Sequence, residues 1–270
     1  MKALVLLFVL CIVTPIVNAA DGKLTFSTFS FPPFSRVQDN KVVGPFADIV
    51  DVVCQKLRVD CEYRMMPNRR YQQSLKDGTV DGNFPLGWNK KRDGFLWFTI
   101  PLMKTEYGFF AKADSSFEYK ELKDLEGMTV GVFGPSNTAY SLEKIRDQMK
   151  AQGLKPIRID MRPNADGTGL KKVALGRVQL YYVNRDVGFY RLKQLKIAGV
   201  RYAGKQRELY YFAGFAKAHN DKTMVDKFNE AARELSSKGV IAKVLQKYDI
   251  NPARWDDSTL TKYHIVFGTR

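Results

Sequence analysis

The chain has 270 residues, 43 of them Lys or Arg and 28 Asp or Glu, for a formal net charge of +15. With 45% apolar and 26% charged residues the composition is that of a folded globular protein and excludes general disorder. Three cysteines exclude a disulfide-dense miniprotein or a multi-cysteine zinc module, and two histidines, His219 and His264, do not suit a histidine-rich metal site.

The first residues read as an export signal. Lys2 is the sole charge before Asp21, Ala3 to Val13 is continuously apolar, and Val17-Asn18-Ala19 offers small or aliphatic residues where signal peptidase reads. Residues 1–19 are therefore expected to be a signal peptide cut after Ala19, which places the protein in the periplasm. A membrane anchor fits less well, because the stretch is short and Pro15 interrupts it. No later apolar run approaches the ~20 residues of a membrane span, so the chain is not expected to be membrane-embedded. Export leaves Cys54 and Cys61, an even number in an oxidising compartment. Cys54 sits late in a helical pattern and Cys61 at the start of the next extended run, and a helix turning back into an adjacent strand can bring such a pair within bridging distance. Two buried free thiols remain the alternative.

Lys23 to Thr28 alternates with period two and predicts a strand. Ser30-Phe31-Pro32-Pro33-Phe34 follows as a rigid turn. Phe46, Ile49, Val50, Val53 and Leu57 recur at helical spacing. Glu62 to Met66 predicts a second strand, Arg70 to Lys76 a helix closed by Asp77-Gly78, and Val80 to Leu86 a third extended run. A second unit starts near Tyr107: an extended run to Ala111, a short helix at Glu121 to Leu125, a strand from Met128 to Phe133 and a helix from the Pro135-Ser136-Asn137-Thr138 segment to about Gln152. A strand at Pro156 to Asp160, a helix around Leu170 to Leu175 and a strand at Arg177 to Val183 complete it. Leu209 to Ala216 is again extended, Asp221 begins an amphipathic helix, and Val240 to Tyr248 is expected as the last one. Two such βαβ units predict an α/β protein of two lobes, each a mainly parallel sheet flanked by helices, with a ligand crevice between them.

The order of several short motifs resembles the family 3 extracellular solute-binding proteins, the periplasmic amino-acid-binding group of ABC importers. Phe31-Pro32-Pro33-Phe34 resembles that family's aromatic turn after the first strand, and Gly44 to Asp48 resembles the segment that opens its first helix. Leu75 to Asp81 carries its Leu-x-x-Gly-x-x-Asp pattern, and Asn89-Lys90-Lys91-Arg92 with Phe98 to Leu102 resembles its arginine segment. Leu122 to Val132 is very similar to its second-lobe opening, and Ala174 to Val178 and Phe228 to Tyr248 follow in the same order. Cys54 and Cys61 match the spacing of a disulfide in some members.

The resemblance implies a periplasmic-binding-protein architecture in which two lobes close on a small molecule. Lobe 1 would comprise residues 20–106 and 208–270 and lobe 2 residues 107–207. It implies that Arg92 holds a ligand carboxylate, a role suited to a guanidinium fork, and that Phe31 stacks on the ligand. Ser136 and Asn137 fall where the second lobe presents a helix N-terminus, whose free N–H groups favour an anion; plain helix capping is the alternative. Three departures stand out. Asn184 takes the place of the family's ammonium-binding aspartate, with Asp186 two residues on. Trp88 stands among residues replacing the usual Ser or Thr, and Arg69 and Arg70 add positive charge. These departures favour an acidic, aromatic or amine-poor ligand.

The expected function is capture of a small carboxylate-bearing molecule, an amino acid or related organic acid, for ABC import or for presentation to a membrane sensor. The expected partners are that ligand and an ABC permease or sensor, with no nucleic acid, no cofactor, no metal and no catalysis by a protein that is a monomer. The alternatives are a secreted enzyme on the same fold, similar to cyclohexadienyl dehydratases, and a polyanion binder suggested by the charge. The first wants a positioned acid or base, and the second wants clustered rather than scattered Lys and Arg.

Overall fold

Strand β1 (Lys23–Thr28) buries Leu24 and Phe26 and holds Lys23 at the surface, as its alternation requires. In this computed structural model the protein is described over residues 22–163 and 167–265; the expected signal peptide and its cleavage site lie outside the described residues. A hairpin follows, β2 (Arg36–Gln38) and β3 (Lys41–Val43), turning on Asp39 and Asn40, both at positive φ (50° and 58°). Asn and Asp tolerate that left-handed region best among side-chain-bearing residues. Gly44, at φ 133°, admits the chain to α1 (Pro45–Leu57), because a Cβ there would lie 2.6 Å from the Phe34 carbonyl oxygen. Helix α1 buries Phe46, Ile49, Val50 and Val53 on one face. It delivers Cys54 to Cys61 in β4 (Asp60–Met65), and the two sulfur atoms are bonded at 2.01 Å.

Helix α2 (Asn68–Asp77) and β5 (Gly82–Leu86) follow, then a short α3 (Lys90–Asp93), β6 (Leu96–Phe98) and β7 (Met103–Lys112). The next stretch runs β8 (Thr129–Phe133), α4 (Asn137–Ala151), β9 (Arg158–Arg162), α5 (Thr168–Ala174), β10 (Leu180–Asn184) and α6 (Arg185–Gln194). The chain returns along β11 (Val200–Ala216) to α7 (Lys222–Ser237), α8 (Val240–Gln246) and α9 (Asp257–Lys262). Val240–Gln246 is therefore not the last helix: Asp256 caps a further one, its side chain accepting from the Thr259 amide at 2.8 Å.

The strand order is β4-β1-β5-β11-β7-β10-β8-β9, with β6 also on β11. Strands β4, β1 and β5 are parallel to one another, as are β10, β8 and β9. Between these trios run β11 and β7, antiparallel to each other and to the strands they join. β11 reaches both sides: Phe212 to Ala216 pair with β5 and β6, whereas Val200 to Tyr211 pair with β7. One core gathers around Phe26, whose ring meets Phe84, Phe215 and Phe228 at 5.5–6.2 Å. A second gathers Phe109, Leu142, Ile145, Met149 and Tyr182 under α4. Helix α7 seats Phe228 in the first core and is tied to the β6–β7 connection, where Asn229 Oδ1 accepts from the Ile100 amide at 2.8 Å.

Candidate functional site

The short helix α3 exists because Asn89 caps it, its Oδ1 accepting from the Arg92 backbone amide at 2.9 Å. The Arg92 side chain folds back and donates from one guanidinium nitrogen to the Gly87 carbonyl at 2.7 Å. The arginine is thus oriented by its own loop, and no carboxylate pairs with it among the described residues. Its charge reaches Tyr71 in α2 and Tyr107 in β7. Burial pushes both phenols up, and the nearby guanidinium pulls each partly back. Tyr71 is fully buried and donates its hydroxyl hydrogen to the Pro85 carbonyl at 3.2 Å.

Phe31 sits in a tight turn, its amide donating to the Ser35 carbonyl at 2.9 Å. Its ring is half-buried: it stacks on Phe29 at 5.4 Å with a 13° interplanar angle and stands edge-on to Tyr211 at 6.1 Å. Phe29 in turn lies 4.9 Å from Tyr71. A continuous run of ring contacts therefore leads from Tyr71 to the tyrosine that meets Asn184.

Asn184 ends β10 and is 2% exposed. Its Oδ1 accepts from the amides of Asp186 and Val187 at 3.0 and 3.2 Å, capping α6. Its Nδ2 donates to Thr105 Oγ1 at 2.9 Å and to the Tyr211 hydroxyl at 3.4 Å. Asp186 is also buried. Thr105 donates to one of its oxygens at 2.6 Å and Arg185 pairs with the other at 3.2 Å. Desolvation raises the Asp186 pKa, opposed by the Thr105 hydrogen bond and the Arg185 charge. Arg185 also approaches Glu106 at 3.7 Å, and Glu106 accepts from the Tyr202 hydroxyl at 2.8 Å.

Ring contacts thus join Phe31 through Phe29 to Tyr71 and directly to Tyr211, which meets Asn184, while Arg92 is tied to its own loop at Gly87 and Asn89. The other candidates lie apart from these contacts. Trp88 stands edge-on to Tyr263 and His264, each at 5.7 Å, and its buried indole nitrogen has no hydrogen-bond partner among the described residues. His264 meets Asp93 at 2.7 Å, so the segment after α9 packs on the loop that carries Arg92. Ser136 caps α4: its oxygen accepts from the Ala139 amide at 3.0 Å and its hydroxyl donates to the Phe133 carbonyl at 2.6 Å. Asn137 and Arg70 are exposed, Asn137 at the first position of α4 and Arg70 on α2 beside Tyr71.

Sequence reasoning missed Tyr71, Tyr107, Arg207 and Tyr211. Arg207 lies opposite Tyr107 on the β11–β7 ladder, its guanidinium 5.2 Å from that ring centroid. The one available signal was the place of Tyr107 and Arg207 at the expected crossings between units. A separate cavity of about 230 Å³, lined by Trp97, Lys217, Lys222 and Asn229 among others, lies between β6 and α7. Among the described residues no cluster of three His, Cys, Asp or Glu could hold a metal ion, and no helix is long and apolar enough to cross a membrane.

A model of the bacterial extracellular solute-binding proteins, family 3, matches residues 26–251 of the chain. No curated protein matches it. Among solved structures, a histidine kinase sensor domain with similarity to periplasmic binding proteins is 18% identical, with 86% of this chain and 98% of that one covered at a TM-score of 0.68. An ancestral arginine-binding protein bound to arginine is 24% identical, with 85% and 99% covered and a TM-score of 0.65. An ancestral amino acid-binding protein described as a precursor of cyclohexadienyl dehydratase is 18% identical, with 84% and 94% covered and a TM-score of 0.65. At these identities the likeness is one of fold.

Proposed function

The chain belongs to the bacterial extracellular solute-binding proteins, family 3, and from that premise we propose that it captures a small carboxylate-bearing molecule, an amino acid or related organic acid, in the periplasm after its leader is cut at Ala19. Two lobes, residues 20–106 with 208–270 and residues 107–207, close on the ligand about β7 and β11. The captured molecule passes to an ABC permease or is presented to a membrane sensor. Arg92 grips the carboxylate, Phe31 supplies the flat apolar contact, Arg70, Trp88, Ser136 and Asn137 border the cleft, and Asn184 closes its floor.

One observation carries this reading: the Arg92 guanidinium is half-buried, oriented by the Gly87 carbonyl, and unpaired with any carboxylate among the described residues. A guanidinium so held has donors left for a planar oxyanion, and little orientational freedom is lost when one arrives. Binding rather than catalysis is supported by the engagement of Asp186 and Glu106, the acids beside Asn184 and Arg185, in internal bonds. A thermal-shift screen against amino acids and organic acids tests the proposal. A ligand at a hundred times its dissociation constant stabilises the folded state by about 2.7 kcal/mol, and Arg92→Ala should abolish the shift. A hit of equal size with Arg92→Ala would overturn the site, and a screen without hits would overturn the function.

A further inference from the structure

We propose that residues 252–265 are a strap that fixes the loop carrying Arg92, with Trp88, Tyr263 and His264 as positioning residues for the guanidinium. The inference rests on the Arg92 site proposed above and names what holds that site in shape. The strap lies beyond residues 26–251, the span that the family model matches.

The strap is rooted on the two strands that join the parallel trios. Met103 of β7 and Pro252 form an antiparallel bridge, and the Lys104 amide donates to the Asn251 carbonyl at 3.1 Å. The Tyr210 hydroxyl on β11 donates to the Arg254 carbonyl at 3.2 Å. Helix α9 then buries Leu260, and the Ile265 amide returns to the Leu260 carbonyl at 3.0 Å, turning the chain through His264 at a φ of 56°. At this turn the Tyr263 ring packs edge-on to Phe212 at 5.1 Å and to Tyr210 at 6.0 Å.

Two contacts from this turn bracket Arg92. Trp88, before it in the chain, stands edge-on to Tyr263 and His264. Asp93, the residue after it, accepts from His264 Nδ1 at 2.7 Å. Lys217 adds a second tie at that end, donating to the Asp93 carbonyl at 2.7 Å. The loop between has little else to hold it: α3 is four residues long and buries none of them, and a single helical turn is not stable by itself. Gly87, whose carbonyl orients the guanidinium, has no packing of its own, since a Cβ there would meet nothing within 4 Å. Its neighbours in the chain are Leu86, fixed in β5, and Trp88, which the strap covers. A donor fixed before its ligand arrives loses less freedom on binding, so a loosened loop lowers affinity even with Arg92 intact.

Hydrogen exchange read by mass spectrometry on the full chain tests the strap without a ligand. The amides of Asp93, Gly94 and Phe95 donate to the Asn89, Lys90 and Arg92 carbonyls at 3.0, 3.3 and 3.0 Å. They should exchange about tenfold or more faster when Tyr263→Ala and His264→Ala are combined, while α1 and α7 keep their rates. Tyr263→Phe with His264→Asn keeps a ring and a donor and should restore the natural rates. If the double variant is unstable, His264→Ala alone decides. Its side chain is 62% exposed and such a pair adds little stability, so the melting temperature should hardly move while loop exchange rises about threefold or more. Unchanged exchange in the loop, or a rise shared equally by α1 and α7, would overturn the inference and leave the Arg92 site standing. Calorimetry with glutamate, glutarate and arginine separates positioning from loop stability alone. A probe that binds the unaltered protein should bind the double variant about fivefold or more weakly, and equal affinity beside a loosened loop would overturn the positioning role. Equal affinity in Arg92→Ala would overturn the site itself. Where none of the three binds, the exchange result decides alone.

Discussion

Arg92 spends one donor on the Gly87 carbonyl and its backbone amide on Asn89, so its side chain is held before any ligand arrives. If its remaining donors serve a carboxylate shielded from water, Arg92→Ala should weaken binding by ~2–5 kcal/mol, while the melting temperature of the empty protein stays nearly unchanged. Calorimetry and thermal unfolding of one preparation read both. Asn184 is a different kind of residue: its amide caps α6 and ties β10 to Thr105 and Tyr211, so a substitution there acts on folding as well as on a ligand. Asp186 adds a pH dependence. Burial raises its pKa above the unfolded value near 3.8, so the folded protein takes up a proton first as pH falls. The cost of holding the ionised carboxyl is therefore present at neutral pH and is relieved as pH drops through the raised pKa. Relative to Asp186→Asn, which has no such proton to gain, the natural protein should become more stable between pH 7 and pH 4. A melting-temperature difference that is flat across that range, or that moves the other way, would contradict the assignment.

At the scale of single elements, α6 shows why some helices escape a sequence pattern. Its residues Arg185–Gln194 carry no clear apolar stripe, and Gly188 lies within it. The glycine is there for contact: a Cβ would come within 2.2 Å of the Phe110 ring on β7. Gly188→Ala should therefore push α6 off β7 and cost roughly 1–3 kcal/mol through overpacking, despite the better helix propensity of alanine. Urea unfolding measures it, and a stabilised variant would show that the ring moves aside freely. Helix α1 and strand β4 are joined by Cys54 and Cys61, seven positions apart. Closing so short a loop removes little chain entropy, and its loss should cost about 2–3 kcal/mol. Cys54→Ser with Cys61→Ser checks that figure by the same unfolding measurement, and thiol titration of unreduced, denatured protein should find no free thiol.

Across the whole molecule, β7 and β11 are the strands that connect one parallel trio to the other, and β11 bends through register shifts between Tyr202 and Arg207. A long strand pair with an irregular middle is the place where two bodies can turn against each other while their own sheets stay paired. If the lobes close as proposed, small-angle scattering should show a smaller radius of gyration at saturating ligand, and Arg92→Ala at the same ligand concentration should keep the empty protein's value. An unchanged radius in the ligand-saturated protein would mean that capture proceeds without closure.

The sequence by itself determined the α/β class and most of the strands and helices, because the period-two alternation at Lys23–Thr28 and the helical spacing in Pro45–Leu57 are local patterns that backbone geometry imposes, and the resemblance of its ordered motifs, Leu122 to Val132 among them, indicated the family. It also singled out Phe31 and Arg92, which stand in short motifs. The hairpin at Asp39-Asn40 and helix α6 gave weaker local signals, and α9 rests on a cap rather than a stripe. Only the tertiary structure brought Tyr71 to Phe29, Tyr211 to Phe31 and Arg207 over Tyr107, since their company depends on which distant segments of chain pair. It alone decided that the Asn184 amide is spent inside the protein. Hydrogen-bond partners are set by where separate segments meet, and no spacing within one segment encodes that meeting.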